Sequence, residues 1–259
     1  MNRYGKKSIL QIETKVKNNK TILSDSYFTS PLKILKPFYN NDNSMMKLCI
    51  INVSAGVLSG DDYSINVNMN KDSCLELYSQ SYTKIFKMKN ECAYQKIDVN
   101  MEENCTLAYM LKPLMPFKES NFKQDMNIRM RKNCNLIFRE IISCGRYKRN
   151  EIFDFDSFIS KLKIFYNDKI VFMDNTFLKP EEQEIKSIGL YGEYTHQANM
   201  IIIGKRVDEK LRIKYMSILK SYTNIEFGIS LSFKFGMIIR ILGKNSEHLI
   251  EITDAIYKA

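Results

Sequence analysis

Apolar and polar residues alternate with a period of two through the first two thirds of the chain. Tyr63, Ile65, Val67 and Met69 share one face of an extended segment and Ser64, Asn66 and Asn68 the other, the pattern of a strand buried on one side. The same reading predicts strands over 74 to 87, 95 to 101, 105 to 111, 126 to 131, 134 to 142, 152 to 166 and 169 to 177, with Asn, Asp, Gly or Pro clusters between them. One-sided burial points to antiparallel pairing, so the expected fold is mainly β: a large antiparallel, multi-stranded body in two stacked layers.

The last quarter changes period. Val207, Leu211, Tyr215, Ile218, Leu219 and Tyr222 recur at steps of three and four, the apolar stripe of a helix. Before it, 197 to 204 reads as a strand; after it, Phe227, Ile229, Leu231, Phe233 and Phe235 alternate with small or polar residues, and a hairpin turns at Gly236 into Ile238 to Leu242. A second helix begins near Ser246 and buries Leu249, Ile252 and Ile256. The expectation is one domain over 1–259, with a β body over 1–195 and a small α+β portion over 196–259 in the order β, α, β, β, α, carrying two helices.

No Gly/Ser linker or low-complexity tract divides the 259 residues, and no apolar run reaches membrane-spanning length. The segment MNRYGKKSILQIETKV lacks the apolar core of a secretory signal. A cytoplasmic protein without a membrane partner is therefore expected. Cys49, Cys74, Cys92, Cys105, Cys134 and Cys144 are spread singly, without a CxxC pair, and read as reduced thiols in or near the core. The net charge of +10 invites a nucleic-acid reading, but the lysines are scattered among acids and asparagines and no recognition motif accompanies them. A basic face meeting an acidic protein fits better.

Four blocks interrupt the strand pattern: SAGVLSGDD (54 to 62), SQSYTKIFK (79 to 87), LKPLMPF (111 to 117) and REIISCGRYKRNE (139 to 151). In the first, Gly56 and Gly60 permit a tight loop presenting Asp61 and Asp62, or a turn whose acids fold back on their own backbone. The second is an unusually polar strand, with hydroxyls that suit either an internal passage or an ordinary surface. In the third, Pro113 and Pro116 leave Leu114, Met115 and Phe117 to project as a docking site or to cover the core. The fourth sets Glu140 among apolar neighbours, where it needs a partner such as Arg146 or Lys84, or a metal, with Cys144 as a softer neighbour. With His196 and His248 the only histidines, zinc-type sites fail on ligand count, and a Cys144/His196 nucleophile pair lacks an activating motif.

Taken in order, these blocks resemble the urease accessory protein UreD family, called UreH in some organisms. Gly56, Gly60 and Asp61 match its Gly-Gly-x-x-Gly-Gly-Asp loop; Thr83, Lys84 and Phe86 its Thr-Lys-Val-Tyr strand; Pro113, Pro116 and Phe117 its Pro-x-x-Pro-Phe segment. Glu140, Gly145, Arg146 and Glu151 fall as in Glu-x-x-x-x-Gly-Arg-x-x-x-x-Glu, with Asn150 in place of a Gly. The resemblance implies a maturation factor rather than an enzyme, with no permanent cofactor. It would bind apo-urease and UreF, which recruits UreG, and pass Ni2+ transiently through an internal polar channel. It further implies Asp61, Asp62, Thr83, Glu140 and Cys144 along that channel, Lys84, Arg146 and Glu151 as orienting charges, and Pro113 to Phe117 as contact surface. A basic nucleic-acid- or anion-binding β protein and a cysteine hydrolase using Cys144 and His196 are the competing classes.

Overall fold

The computed structural model describes residues 7–39, 45–89, 91–232 and 236–259. Its elements are β1 (Ser8–Lys17), β2 (Lys20–Phe28), β3 (Leu32–Ile34), β4 (Met46–Asn52), β5 (Asp62–Met69), β6 (Cys74–Ser79), β7 (Thr83–Ile85), β8 (Ala93–Met101), β9 (Thr106–Met110), β10 (Leu114–Pro116), β11 (Asn121–Met130), β12 (Asn135–Ser143), β13 (Ser157–Tyr166), β14 (Lys169–Leu178) and β15 (His196–Ile203). Helix α1 (Glu209–Lys220), β16 (Ile225–Ser232), β17 (Gly236–Gly243) and α2 (Ser246–Lys258) complete the chain. The expected hairpin residues Phe233 and Phe235 lie outside the described residues.

The chain is mainly β with two helices, as the periodicity predicts, but the sheets are mixed and solenoid-like rather than antiparallel. From β4 to β13 successive long strands alternate between two facing sheets. Those of the first, β1, β5, β8, β11 and β13, all run parallel, with β2 and β14 reversed at the edges. Those of the second, β4, β6, β9 and β12, are parallel as well; β3 is reversed at one end, and β15, β17 and β16 continue the other end antiparallel. Alternation reports which face is buried and carries no information on strand direction. Coiling satisfies it as well as hairpins do, because every coil presents one face to the common interior.

In-register coils stack like on like. Ile65, Ile97, Met126 and Leu162 form one ladder, Val67, Val99, Ile128 and Ile164 the next, and Leu48, Leu77, Tyr109 and Phe138 face them from the second sheet. All belong to one buried cluster. The return turns from the first sheet to the second repeat a short phrase: Met69-x-x-Asp72-Ser73-x-Leu75, Met101-x-x-Asn104-Cys105-x-Leu107 and Met130-x-x-Asn133-Cys134-x-Leu136. Asp72, Asn104 and Asn133 take left-handed φ of 63°, 61° and 61°, which short polar side chains tolerate best. Their side chains are linked, Asn104 Nδ2 donating to Asp72 Oδ1 at 2.7 Å and Asn133 Nδ2 to Asn104 Oδ1 at 3.0 Å. All six cysteines are free thiols, four of them buried and two half-buried.

The two helices cover the outer face of the second sheet, where Ala198, Met200, Ile202, Met237, Ile239 and Ile241 form a second core with Leu219, Leu249, Ile252 and Ile256. Asp208 and Asn245 cap them by accepting from the backbone N–H groups of Leu211 and Glu247. Helix α2 is further held by the buried Arg139, whose guanidinium donates to Thr253 Oγ1 (3.1 Å), Asp254 Oδ1 (2.5 Å) and the carbonyls of Met110 (2.9 Å) and Leu111 (3.2 Å). Among the described residues no helix is long and apolar enough to cross a membrane.

Candidate functional site

Each sequence block is a connection from the second sheet back to the first, and the four pile up as a third, irregular side of the coil. The expected strand over 74 to 87 breaks at 80 to 82 for this reason, and the strand expected from 152 starts at Ser157. Val57 bridges Ile85 in parallel, β7 pairs β10 in parallel, and β10 meets β12 at Leu114 and Ile142. Val57 N–H donates to Lys84 O (2.8 Å), Phe86 N–H to Val57 O (2.9 Å) and Phe117 N–H to Ile85 O (2.9 Å).

Two glycines fit because a side chain would not. A Cβ on Gly56 would lie 2.4 Å from Lys84 O, and one on Gly145 3.0 Å from Pro116 O and 2.9 Å from Glu151 O, at a φ of 126° that side chains avoid. Gly60, at φ 75°, turns the loop toward β5. Arg146 donates through Nε to Glu151 Oε2 at 2.7 Å, pairs through its second arm with Oε1, and lies 4.3 Å over the Phe117 ring, which in turn packs on Phe86. Pro113, Leu114, Pro116 and Phe117 are buried in this stack and only Met115 is half-buried. Of the two readings of that segment, cover over the core is the one the fold adopts; the residues do not project.

Behind the stack a cavity of about 320 Å³ enters the space between the sheets. Exposed lining residues Ala55, Ser81 and Lys84 mark its mouth, with Thr83 and Tyr82 beside them. Inside, the core ladders give way to a polar row one register step along: Tyr63, Gln95, Gln124 and Ser160 are in-register neighbours on β5, β8, β11 and β13. Gln95 Nε2 donates to Gln124 Oε1 (2.8 Å), and Gln124 Nε2 donates to Ser160 Oγ (3.0 Å) and Glu140 Oε1 (2.9 Å), which also accepts from Ser160 Oγ (3.0 Å). Glu140 reaches this row from β12 in the facing sheet and lines the cavity.

Glu140 is half-buried, and desolvation raises its pKa to about 7, against the lowering effect of Ser160 and Gln124. Of the partners the sequence allows Glu140, the structure gives it neutral hydrogen-bond donors; Arg146 is committed to Glu151 and Lys84 sits at the rim. Asp61 and Asp62 lie outside the cavity lining. Asp61 Oδ2 accepts from the backbone N–H of Leu58 (2.8 Å) and from Tyr63 OH (2.5 Å), closing its own turn and fixing a wall residue of the cavity. Asp62 faces Lys7 at 3.5 Å.

Cys144 is buried two residues beyond Ile142 on the Glu140 face of β12, and burial pushes its thiol up to about 11. His196 is also buried, its pKa pushed down to about 4 by desolvation, and Nδ1 contacts Thr195 Oγ1 at 2.8 Å. His196 is the cross-strand partner of Ser143, so Cys144, one residue on, faces the other side of the sheet, and a thiol held protonated away from the histidine is not an activated nucleophile. Among the described residues no three His, Cys, Asp or Glu side chains converge as a metal cage. What the arrangement offers is a chamber walled largely by apolar side chains such as Ile50, Leu111 and Phe138, with Lys84, Lys112 and Arg139 also in its lining and one carboxyl, Glu140, on a hydrogen-bonded polar row.

The sequence model of the family described as UreD urease accessory protein matches residues 6–259. The chain is 39% identical over 255 residues to urease accessory protein UreD of Acetivibrio thermocellus, covering 98% of this chain and 97% of that one. It is 35% identical over 252 residues to urease accessory protein UreH of Helicobacter hepaticus, covering 97% of both. A third relative, urease accessory protein UreH of Helicobacter pylori strain P12, is 27% identical over 257 residues, covering 99% and 96%. With the corner blocks in order and the match running from the first coil to the last helix, the chain belongs to the UreD urease accessory protein family.

Proposed function

We propose that the protein serves urease maturation as a non-catalytic adaptor: it binds apo-urease and UreF, through UreF engages UreG, and lets Ni2+ pass by way of the cavity that Glu140 lines. The observation supporting this reading is the donor set. One carboxyl (Glu140), three amides (Asn52, Gln95 and Gln124) and hydroxyls such as those of Ser54, Tyr63 and Thr83 line the chamber, and hard oxygen donors with a single negative charge, set among Lys84, Lys112 and Arg139, hold a divalent ion weakly enough to release it, whereas a closed Cys/His cage would retain it. At about 30 Å³ per water, a chamber of 320 Å³ accommodates an ion that keeps its hydration shell.

In this reading Glu140 is the one group that exchanges a proton for the ion, Gln124 and Ser160 orient it, and Gln95 and Gln124, which line the chamber, contact the ion's waters. Thr83 and Lys84 act at the mouth. Asp61 acts through Tyr63, and Cys144 lies outside the cavity lining. The ion pair of Arg146 with Glu151 keeps the corner stack rigid, and Met115 is the part of the proline segment left to meet a partner.

Co-purification with UreF and urease subunits, followed by metal analysis of urease matured with and without this chain, tests the assignment. Replacing Glu140→Ala is expected to lower the nickel content of urease while the complex still assembles. Full nickel loading by that variant would remove Glu140 from the route, and full loading without the chain would remove the function. Steep loss of retention on DNA with salt would favour the nucleic-acid reading instead.

A further inference from the structure

The cavity is not confined to the space between the sheets. Side chains alternate across β12: Phe138 and Glu140 point to the interior, whereas Arg139 and Ile141 lie on the outer side with helix α2, and all four line the cavity. Ile50 and Ile51 line it from the two faces of β4 in the same way. Asn52, Ser79 and Leu111, at the carboxyl ends of β4, β6 and β9, complete the wall between these sides. The cavity therefore turns around the strand ends into an outer lobe. Tyr82 bounds that lobe, its hydroxyl donating to Glu247 Oε1 in the first turn of α2 at 2.6 Å.

Charge divides the two sides. The interior side carries Glu140; the mouth and the outer lobe carry Lys84, Lys112 and Arg139. Lys112 follows directly on Leu111, whose carbonyl accepts from Arg139 Nη2 at 3.2 Å, and its own N–H donates to Ser79 Oγ at 3.0 Å. Arg139 is offset by Asp254. Lys84 and Lys112 have no carboxylate within salt-bridge distance among the described residues. Arg139 Nε has no hydrogen-bond partner among those residues either, and of the buried polar atoms left so it alone belongs to a residue of this lining. The lobe thus gathers positive charge without a counter-charge, beside the apolar side chains of Ile51 and Ile141. An apolar pocket with a few convergent polar groups is the ordinary form of a small-molecule site, and this set of groups disfavours a cation and suits an anion with a hydrocarbon part.

We infer that the outer lobe binds a small organic carboxylate, whose oxygens accept from the Lys84 and Lys112 ammonium groups and whose short carbon chain lies against Ile51, Ile141 and the Tyr82 ring. Charge-assisted hydrogen bonds of this kind are about twice as strong as neutral ones, and Arg139 adds its field behind them. The inference goes beyond the nickel reading and does not rest on it, since neither Glu140 nor a metal takes part.

The test measures the Tm of the purified full chain against increasing butyrate, acetate and butylamine, with ionic strength held constant by sodium chloride. A ligand of the folded state raises Tm by mass action. Butyrate should raise it saturably and butylamine, equal in shape and opposite in charge, should not. Butyrate should bind about tenfold more tightly than acetate, because two further methylene groups leave water. Lys84→Met and Lys112→Met keep the side-chain length and remove the charge, and each should weaken butyrate binding on the order of tenfold. No saturable rise with butyrate, an equal rise with butylamine, equal affinity for acetate, or parental affinity in the doubly substituted chain would each overturn the site. The comparison of butyrate with butylamine needs no substitution and decides the matter if a variant does not fold.

Discussion

Replacing Glu140→Gln should make the protein more stable at neutral pH and leave it unchanged in acid. The carboxyl has its ordinary pKa of 4.5 in the unfolded chain and about 7 in the folded one, raised by desolvation. Below 4.5 both states hold the proton and the group contributes nothing. Between the two values the unfolded chain ionises while the folded chain retains its proton, so stability falls as pH rises, and the whole penalty is present above 7. At about 1.4 kcal/mol per pH unit of separation, the penalty is about 3 kcal/mol. Glutamine keeps an oxygen to accept from Gln124 and Ser160, whose bonds at 2.9 and 3.0 Å are the interactions to preserve, and it carries no charge to desolvate. Urea denaturation of both proteins from pH 4.5 to 8 should give stability curves that coincide in acid and diverge by about 3 kcal/mol in favour of the variant. Parallel curves would mean that Glu140 is fully hydrated, and the chamber would then be an ordinary surface cleft.

Two further outcomes follow from the walls of the site. Gly56→Ala should push the loop off β7, breaking the bonds of Val57 to Lys84 and of Phe86 to Val57, at a cost of about 2 kcal/mol; hydrogen exchange at the Val57 and Phe86 amides should accelerate, and unchanged protection would refute the close approach. Asp254→Ala should strand the buried Arg139 charge, costing on the order of 2 kcal/mol after allowing for the exposure of Asp254. Adding Arg139→Met should restore part of that loss in denaturation, whereas a further loss would show that the guanidinium's neutral acceptors matter more than its charge.

Strand positions were largely legible because one-sided burial writes itself into alternation, and β5, β14 and α2 fall close to where the pattern puts them. Direction was not legible in alternation, but it was in a feature of longer period. The phrase Met-x-x-Asn/Asp-Ser/Cys-x-Leu at Met69, Met101 and Met130 recurs at the coil length, and a repeat of that length with a left-handed polar turn is the signature of a solenoid. The four blocks were recognisable as special because glycines and prolines break the strand pattern. That they are equivalent corners stacked on one another, with Leu114 and Phe117 turned inward, depended on coil register. Glu140 stood out as a lone carboxyl among apolar neighbours. Its real partners did not, because Gln124, although in phase with Phe122, Met126 and Ile128, lies before the strand expected over 126 to 131, in the stretch that the structure adds to it.

That phase also explains how a solenoid opens an internal chamber without losing its core. Every coil contributes one residue to each ladder, so a change of type at one ladder position runs the full height of the stack. At the step occupied by Val67, Val99, Ile128 and Ile164 the interior is packed and apolar; four residues earlier on the same strands stand Tyr63 and the hydrogen-bonded Gln95, Gln124 and Ser160. Because the coils share a register, those groups bond to one another across strands, and none of Gln95, Gln124 or Ser160 is left unsatisfied inside. The facing sheet supplies Glu140, the corner stack supplies the mouth, and the rigidity of both follows from parallel pairing on each side. A hairpin-built sandwich would have no such constraint, since its neighbouring strands carry independent phases. The coil therefore makes a continuous polar file across the interior a matter of one residue choice per turn.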